Sequence, residues 1–148
     1  MLNPTVDFYL LNTLIHEDVH RFICRLVDKI YLLQKKIYIR VNSHEEGQRL
    51  DELLWTFRDI SFIPHSYLGV NSVLDPMLSV TIATDKPSEL DADILFNLSR
   101  EVPAYFPKFS RIIEVVSEEK ENKNQSRLKY KFYKAHNCQL ITHNISTS

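Results

Sequence analysis

The chain has 148 residues, 44% of them hydrophobic and 25% charged, which suits one ordinary globular domain with its own core. No apolar run approaches the roughly 20 residues that span a bilayer, and the opening MLNPTVDFYLL has no basic secretory n-region, so a cytoplasmic protein without membrane contact is expected. The net charge of −1 is uneven: Lys123, Arg127, Lys129, Lys131 and Lys134 follow the last acidic residue, Glu121, leaving 13 basic against 19 acidic residues, or −6, in residues 1–121. A basic end on an acidic body points to an acidic partner at that end rather than to wholesale nucleic-acid binding.

Thr5 to Leu11 is apolar and β-favouring, a first strand. From Leu14 to about Lys35, Val19, Phe22, Ile23, Leu26, Val27, Ile30 and Leu33 recur at helical spacing and predict a long amphipathic helix. KIYIRVN, Lys36 to Asn42, alternates as a strand does. Ser43 and Glu46 then form a capping box, in which the hydroxyl accepts from the Glu46 backbone and the carboxylate reaches back. Gly47 falls on the buried stripe of the second helix and allows close approach to a sheet. Leu50, Leu53, Leu54 and Phe57 share that stripe, while Trp55, the only tryptophan, lies roughly 140° from Leu50. Trp55 therefore either packs under a neighbouring element or is exposed for a partner. An extended turn, Phe62 to His65, follows.

LSVTIAT (78–84), DILFNL (93–98) and IIEVV (112–116) are continuous apolar runs that suit strands covered on both faces. Residues 85–88 form a turn, and Pro103 to Pro107 is an irregular or short helical connection. A last helix is expected from Ser117 to about His136, its glutamates at the positive end and its lysines towards the negative end. The remainder, 137–148, reads as a polar, frayed tail with a short edge strand at Gln139–Thr142. The alternation predicts a single Rossmann-like α/β domain over 1–136, an open, mostly parallel sheet flanked by helices. With only Gly47 and Gly69, it can hold neither a GxGxxG fingerprint nor a P-loop, so no nucleotide cofactor is expected.

His16-Glu17-Asp18-Val19-His20 matches H-E-x-x-H on a helix, the pattern of a small zinc-dependent hydrolase with two imidazole ligands and a Glu to activate water. Against it, Asp18 puts a charge in the motif and no downstream residue has a third-ligand spacing, so the match is read as accidental. Cys24 and Cys138 lack metal-site spacing and indicate a reduced setting, with Cys24 a core thiol. No other catalytic constellation is present.

The final helix carries more information. With Leu128 as zero, Phe132 and Ala135 lie within about 40° and are expected to form its buried face, while Tyr130, Lys123, Lys134 and Arg127 fall between roughly 200° and 260°. Lys131 sits at the edge of that stripe. The stripe reads either as a solvated basic face or as a receptor for an acidic peptide with a hydrophobic end. In the receptor, an arginine grips a carboxylate beside an aromatic wall. Direct single-strand binding through the same cations and tyrosines is a third reading, disfavoured by the acidic body.

Arg49-Leu50-Asp51-Glu52-x-Leu54-Trp55, then Ser61-Phe62-x-Pro64-His65 and Gly69, with Phe8-Tyr9-Leu10-Leu11 before and Arg127-x-x-Tyr130-Lys131-x-Tyr133 after, resembles the chi subunit of bacterial DNA polymerase III holoenzyme. The resemblance spans nearly the whole chain. It implies a Rossmann-like, non-catalytic adaptor of the clamp-loader complex. Such an adaptor binds the acidic, phenylalanine-ended C-terminal tail of single-stranded-DNA-binding protein, and meets DNA only indirectly. By the same resemblance the tail site corresponds to Trp55, Lys123, Arg127, Tyr130 and Lys131. Phe62, with Pro64 and His65, would face the psi subunit or an equivalent clamp-loader or helicase-like partner. A phenylalanine in such a turn is equally a core plug.

Overall fold

The computed structural model describes residues 3–31, 33, 35–56, 65–67, 80–85 and 92–145, with residues 16, 55 and 65–67 described by their backbone. Strand β1 (Thr5–Leu11) leads into helix α1 (His16–Tyr31), β2 (Ile37–Arg40), α2 (His44–Thr56) and β3 (His65–Tyr67). Then follow β4 (Val80–Ala83), β5 (Ile94–Asn97), a 3₁₀ turn at Phe106–Lys108, β6 (Arg111–Val116), α3 (Lys120–Ala135) and β7 (Gln139–Ile145). The seven strands form one sheet in the order β3-β4-β2-β5-β6-β1-β7, and every pairing is parallel. The expected α/β domain with an open parallel sheet is what the chain forms. No helix among the described residues is long and apolar enough to cross a membrane.

Strand alternation divides the core in two. Leu11, Ile37, Ile39 and Phe96 face α1 and α2, packing on Ile23, Val27, Leu50 and Leu54. Val6, Phe8, Tyr38 and Leu95 face the other way, towards Phe106, Phe109 and Tyr133. The apolar runs of β4 and β5 are buried throughout, with the α1 and α2 cluster on one face and Phe106 and Phe109 in the cluster on the other.

Local signals explain the helix ends. Thr13 Oγ1 accepts from the Ile15 amide at 3.0 Å and donates to Asp18 Oδ2 at 2.8 Å, fixing the entry to α1. At α2, Ser43 Oγ accepts from the Glu46 amide at 3.2 Å, and Glu46 Oε1 reaches back to the Asn42 amide at 3.0 Å. Gly47 is buried, as its stripe position requires. Helix α3 ends on Asn137, whose φ of 62° is left-handed. The Asn137 and Cys138 amides donate to Lys134 O and Tyr133 O, both at 3.1 Å, a Schellman arrangement that turns the chain into β7.

Two expectations need correction. Residues 139–145 are no frayed tail: β7 pairs with β1 from Gln139 through Ile145, and its polar residues reflect an edge position. The face assignment of α3 is also reversed. Ser126, Lys129 and Tyr133 are buried, whereas Leu128 is 68% and Phe132 38% exposed.

Candidate protein-binding groove

The reason for the reversal is Glu114. It sits in β6 with Ile112 and Val116 on the α3 side and is 1% exposed, and a buried carboxylate must be paired and hydrogen-bonded. Lys129 Nζ donates to Glu114 Oε1 at 3.0 Å and to Ser99 O at 2.6 Å. Tyr133 Oη and Asn97 Nδ2 donate to Glu114 Oε2 at 2.6 and 2.8 Å. Burial, then the neighbouring Glu114 charge, raise the Tyr133 phenol above its usual range and keep it a donor. Lys129 and Tyr133, one turn apart, thus fix the rotation of α3. The sequence signal for this network was a lone carboxylate in a buried apolar run.

That rotation builds a groove of about 650 Å³ between α3 and the β1–β7 edge, opening at the C-terminal ends of the strands. Phe8, Leu10 and Leu11 of β1, Val116 of β6 and Ile145 of β7 give it an apolar floor. Lys123, Arg127 and Tyr130 of α3 form its wall, with Ser126 between them. The Tyr130 ring is 39% exposed and lies 5.4 Å from that of Phe8. Lys123 Nζ is held by Glu118, which also lines the groove. Arg127 is exposed, and its Nη1 makes a long hydrogen bond of 3.4 Å to Asn124 Oδ1. No ion pair formed among the described residues takes up that guanidinium. An incoming carboxylate would meet Arg127 directly and would have to displace Glu118 from Lys123.

The structure therefore joins Lys123, Arg127 and Tyr130. Lys131 is exposed on α3 but outside the groove lining. Trp55 stands on a different helix. It lies in the last turn of α2, which packs against α1, β3 and β4 on the opposite face and towards the opposite edge of the sheet. Because α2 returns between two parallel strands, its last turn also lies at the N-terminal edge of the sheet, away from the groove's mouth. Phe62 and Pro64 lie outside the described residues, and His65 opens edge strand β3.

A second cavity, of about 170 Å³, lies at the C-terminal ends of β2 and β5, where chain direction reverses and α/β folds commonly hold ligands. Here it is lined by side chains already bonded to the chain. Asn42 spans Leu98 O and the Arg100 amide at 3.0 and 2.8 Å, and Asn97 and Lys129 belong to the Glu114 network. Along α1, Glu17 is paired with Arg21 at 3.1 Å, Asp18 is engaged by Thr13, and His20 is buried. No trio of His, Cys, Asp or Glu among the described residues is gathered as for a metal.

The family model for the DNA polymerase III chi subunit, HolC, matches residues 4–141. The chain belongs to that family. It is 31% identical over 140 residues to the DNA polymerase III subunit chi of Pseudomonas aeruginosa, covering 95% of this chain and 96% of the relative. The Haemophilus influenzae chi subunit is 28% identical over 141 residues, covering 95% of this chain and 97% of its own. That of Escherichia coli is 27% identical over 146 residues, with 96% and 97% covered. Two solved structures share the fold. Phage T4 UvsW superposes with a TM-score of 0.73 at 5% identity, covering 97% of this chain and 42% of UvsW. The C-terminal domain of a yeast Dbp5 variant gives 0.66 at 13%, covering 97% and 92%. At those identities the likeness is one of fold alone, and the function of this chi-family chain has to come from its own surfaces.

Proposed function

We propose that this chi-family subunit is a non-catalytic adaptor of the clamp-loader assembly. In this reading its α3 groove receives the acidic C-terminal tail of single-stranded-DNA-binding protein. The observation that carries it is the pairing of an apolar floor with an Arg127 guanidinium that no ion pair among the described residues occupies. A terminal phenylalanine would enter between Tyr130 and the Phe8 and Leu10 side chains on the α3 face of β1. Its carboxylate would be gripped by Arg127, and Lys123 and Lys131 would attract the preceding acidic residues. The test is an anisotropy titration with a fluorescent acidic peptide, with and without the terminal phenylalanine. Removal of the ring should weaken binding by about 2 kcal/mol or more, as loss of a buried aromatic anchor does. Equal affinities would leave only charge attraction and end the groove reading.

A second surface would join the assembly through the psi subunit or an equivalent helicase-like partner. By the family resemblance it would comprise Phe62, Pro64 and His65, and we assign Trp55 to it, since that residue lies in the last turn of the helix leading into this connection. Phe62→Ala should retain the wild-type melting temperature and lose the clamp-loader partner in gel filtration. A strongly lowered melting temperature, reflecting the ~3–5 kcal/mol cost of a buried Phe→Ala, would make Phe62 a core residue instead.

A further inference from the structure

The reversed rotation of α3 leaves its most apolar positions outside. Leu128 is 68% exposed, Phe132 is 38% exposed, and Ala135 follows on the same face. The three span two turns, about 10 Å of helix. The ridge is firmly seated: the Phe132 ring lies 5.5 Å from buried Phe106 and 4.1 Å from the His136 ring. Along one flank run the exposed side chains of Lys120, Arg127, Lys131 and Lys134. The other flank holds the uncharged amide of Gln125 and the ring of His136, and Glu121 at the N-terminal end is hydrogen-bonded by Gln125 at 3.3 Å. The face thus offers a hydrophobic ridge with positive charge on one side.

We propose that this outer face of α3 docks an amphipathic helix of another protein, one with an apolar stripe at i, i+4, i+7 spacing and acidic residues along a single flank. Anchors one and two turns apart are how a helix is read by a complementary helix, and Ala135 lets the backbones approach closely. Charge selects the occupant. In a two-fold pair of antiparallel α3 helices the cationic row would lie against its own copy, and in a parallel pair it would meet only the uncharged flank, whereas a one-sided acidic helix neutralises the row and is oriented by it. The apolar ridge is separate from the groove, since Leu128 and Phe132 do not line it, and Arg127 alone of the flanking cations borders both.

The test uses the full chain, isotopically labelled, titrated with a side-chain-constrained 18-residue helical peptide carrying leucines at i, i+4 and i+7 and glutamates on one flank. Amide shifts should cluster on Leu128, Phe132, Ala135, Lys131 and Lys134. Leu128→Glu, at an exposed position that leaves the fold unchanged, should weaken binding about ten-fold or more. The Lys131→Glu, Lys134→Glu double variant should weaken it similarly. Tyr130→Ala, which disables the groove, should leave the affinity within about two-fold, so failure here and failure of the tail-binding reading are distinguishable. The proposal is overturned if shifts map to the groove, or if a peptide with the same glutamates and no leucines binds equally. It is also overturned if a single-stranded oligonucleotide gives the same shifts, or if the free chain sediments as a dimer that Leu128→Glu dissociates.

Discussion

Glu114 decides more about this molecule than any other side chain. An unpaired carboxylate at its depth would be too costly to keep, and its three donors come from α3 and the β5 region. Lys129→Met should therefore lower stability by ~3–5 kcal/mol, the usual cost of stranding one half of a buried pair. Adding Glu114→Gln should recover much of that loss, because the amide still accepts from Tyr133 and no longer needs a cation. Urea midpoints of the two variants check this. A Lys129→Met change worth less than ~1 kcal/mol would mean that apolar packing, and not this network, sets the rotation of α3. At the sheet edge a comparable carboxylate, Asp7, is fully buried. It is bound by Arg111 and by His143 Nε2, the latter at 2.9 Å, and so ties β7 to β1 and β6.

At the scale of elements, the sequence was most informative where apolar periodicity coincides with burial. β1 begins and ends where expected, α1 buries Phe22, Ile23, Val27 and Ile30 of its anticipated stripe but stops at Tyr31 and leaves Leu33 exposed, α2 buries Leu50 and Leu54, and the Ser43–Glu46 cap forms. Its failure on α3 has a physical cause. A helical wheel ranks positions by apolarity, but Lys129 and Tyr133 are drawn inward by a carboxylate that the helix itself does not contain. Strand β7 was underestimated for a related reason: QLITHNI lacks the continuous apolar run of a central strand, because its pairing is supplied by β1 and one edge faces outward. Of the residues expected in a tail site, Lys123, Arg127 and Tyr130 could be grouped from the sequence because one helix face carries them, and they line one groove. Trp55 lies on a helix apart from them, which only the sheet order reveals, since α2 and α3 cover opposite faces. Trp55→Ala should consequently leave tail binding unchanged.

For the whole molecule, the picture is of a scaffold whose conventional ligand crevice is lined by side chains already bonded to the chain, and which carries two exposed features around α3. One wall of that helix borders an apolar groove with available positive charge, and its outer ridge is apolar beside a row of cations. The acidic body and basic C-terminal end fit attraction of an acidic partner to one side of the protein, an effect that salt should weaken. The central claim is that Arg127 and its groove receive a peptide carboxylate, and it is tested most directly by titrating the fluorescent, phenylalanine-ended acidic peptide into wild type and Arg127→Ala. The account predicts a loss of ~2–5 kcal/mol of binding in Arg127→Ala with an unchanged melting temperature, and wild-type affinity in Trp55→Ala. Wild-type affinity in Arg127→Ala would contradict it and leave the cations of α3 a solvated face.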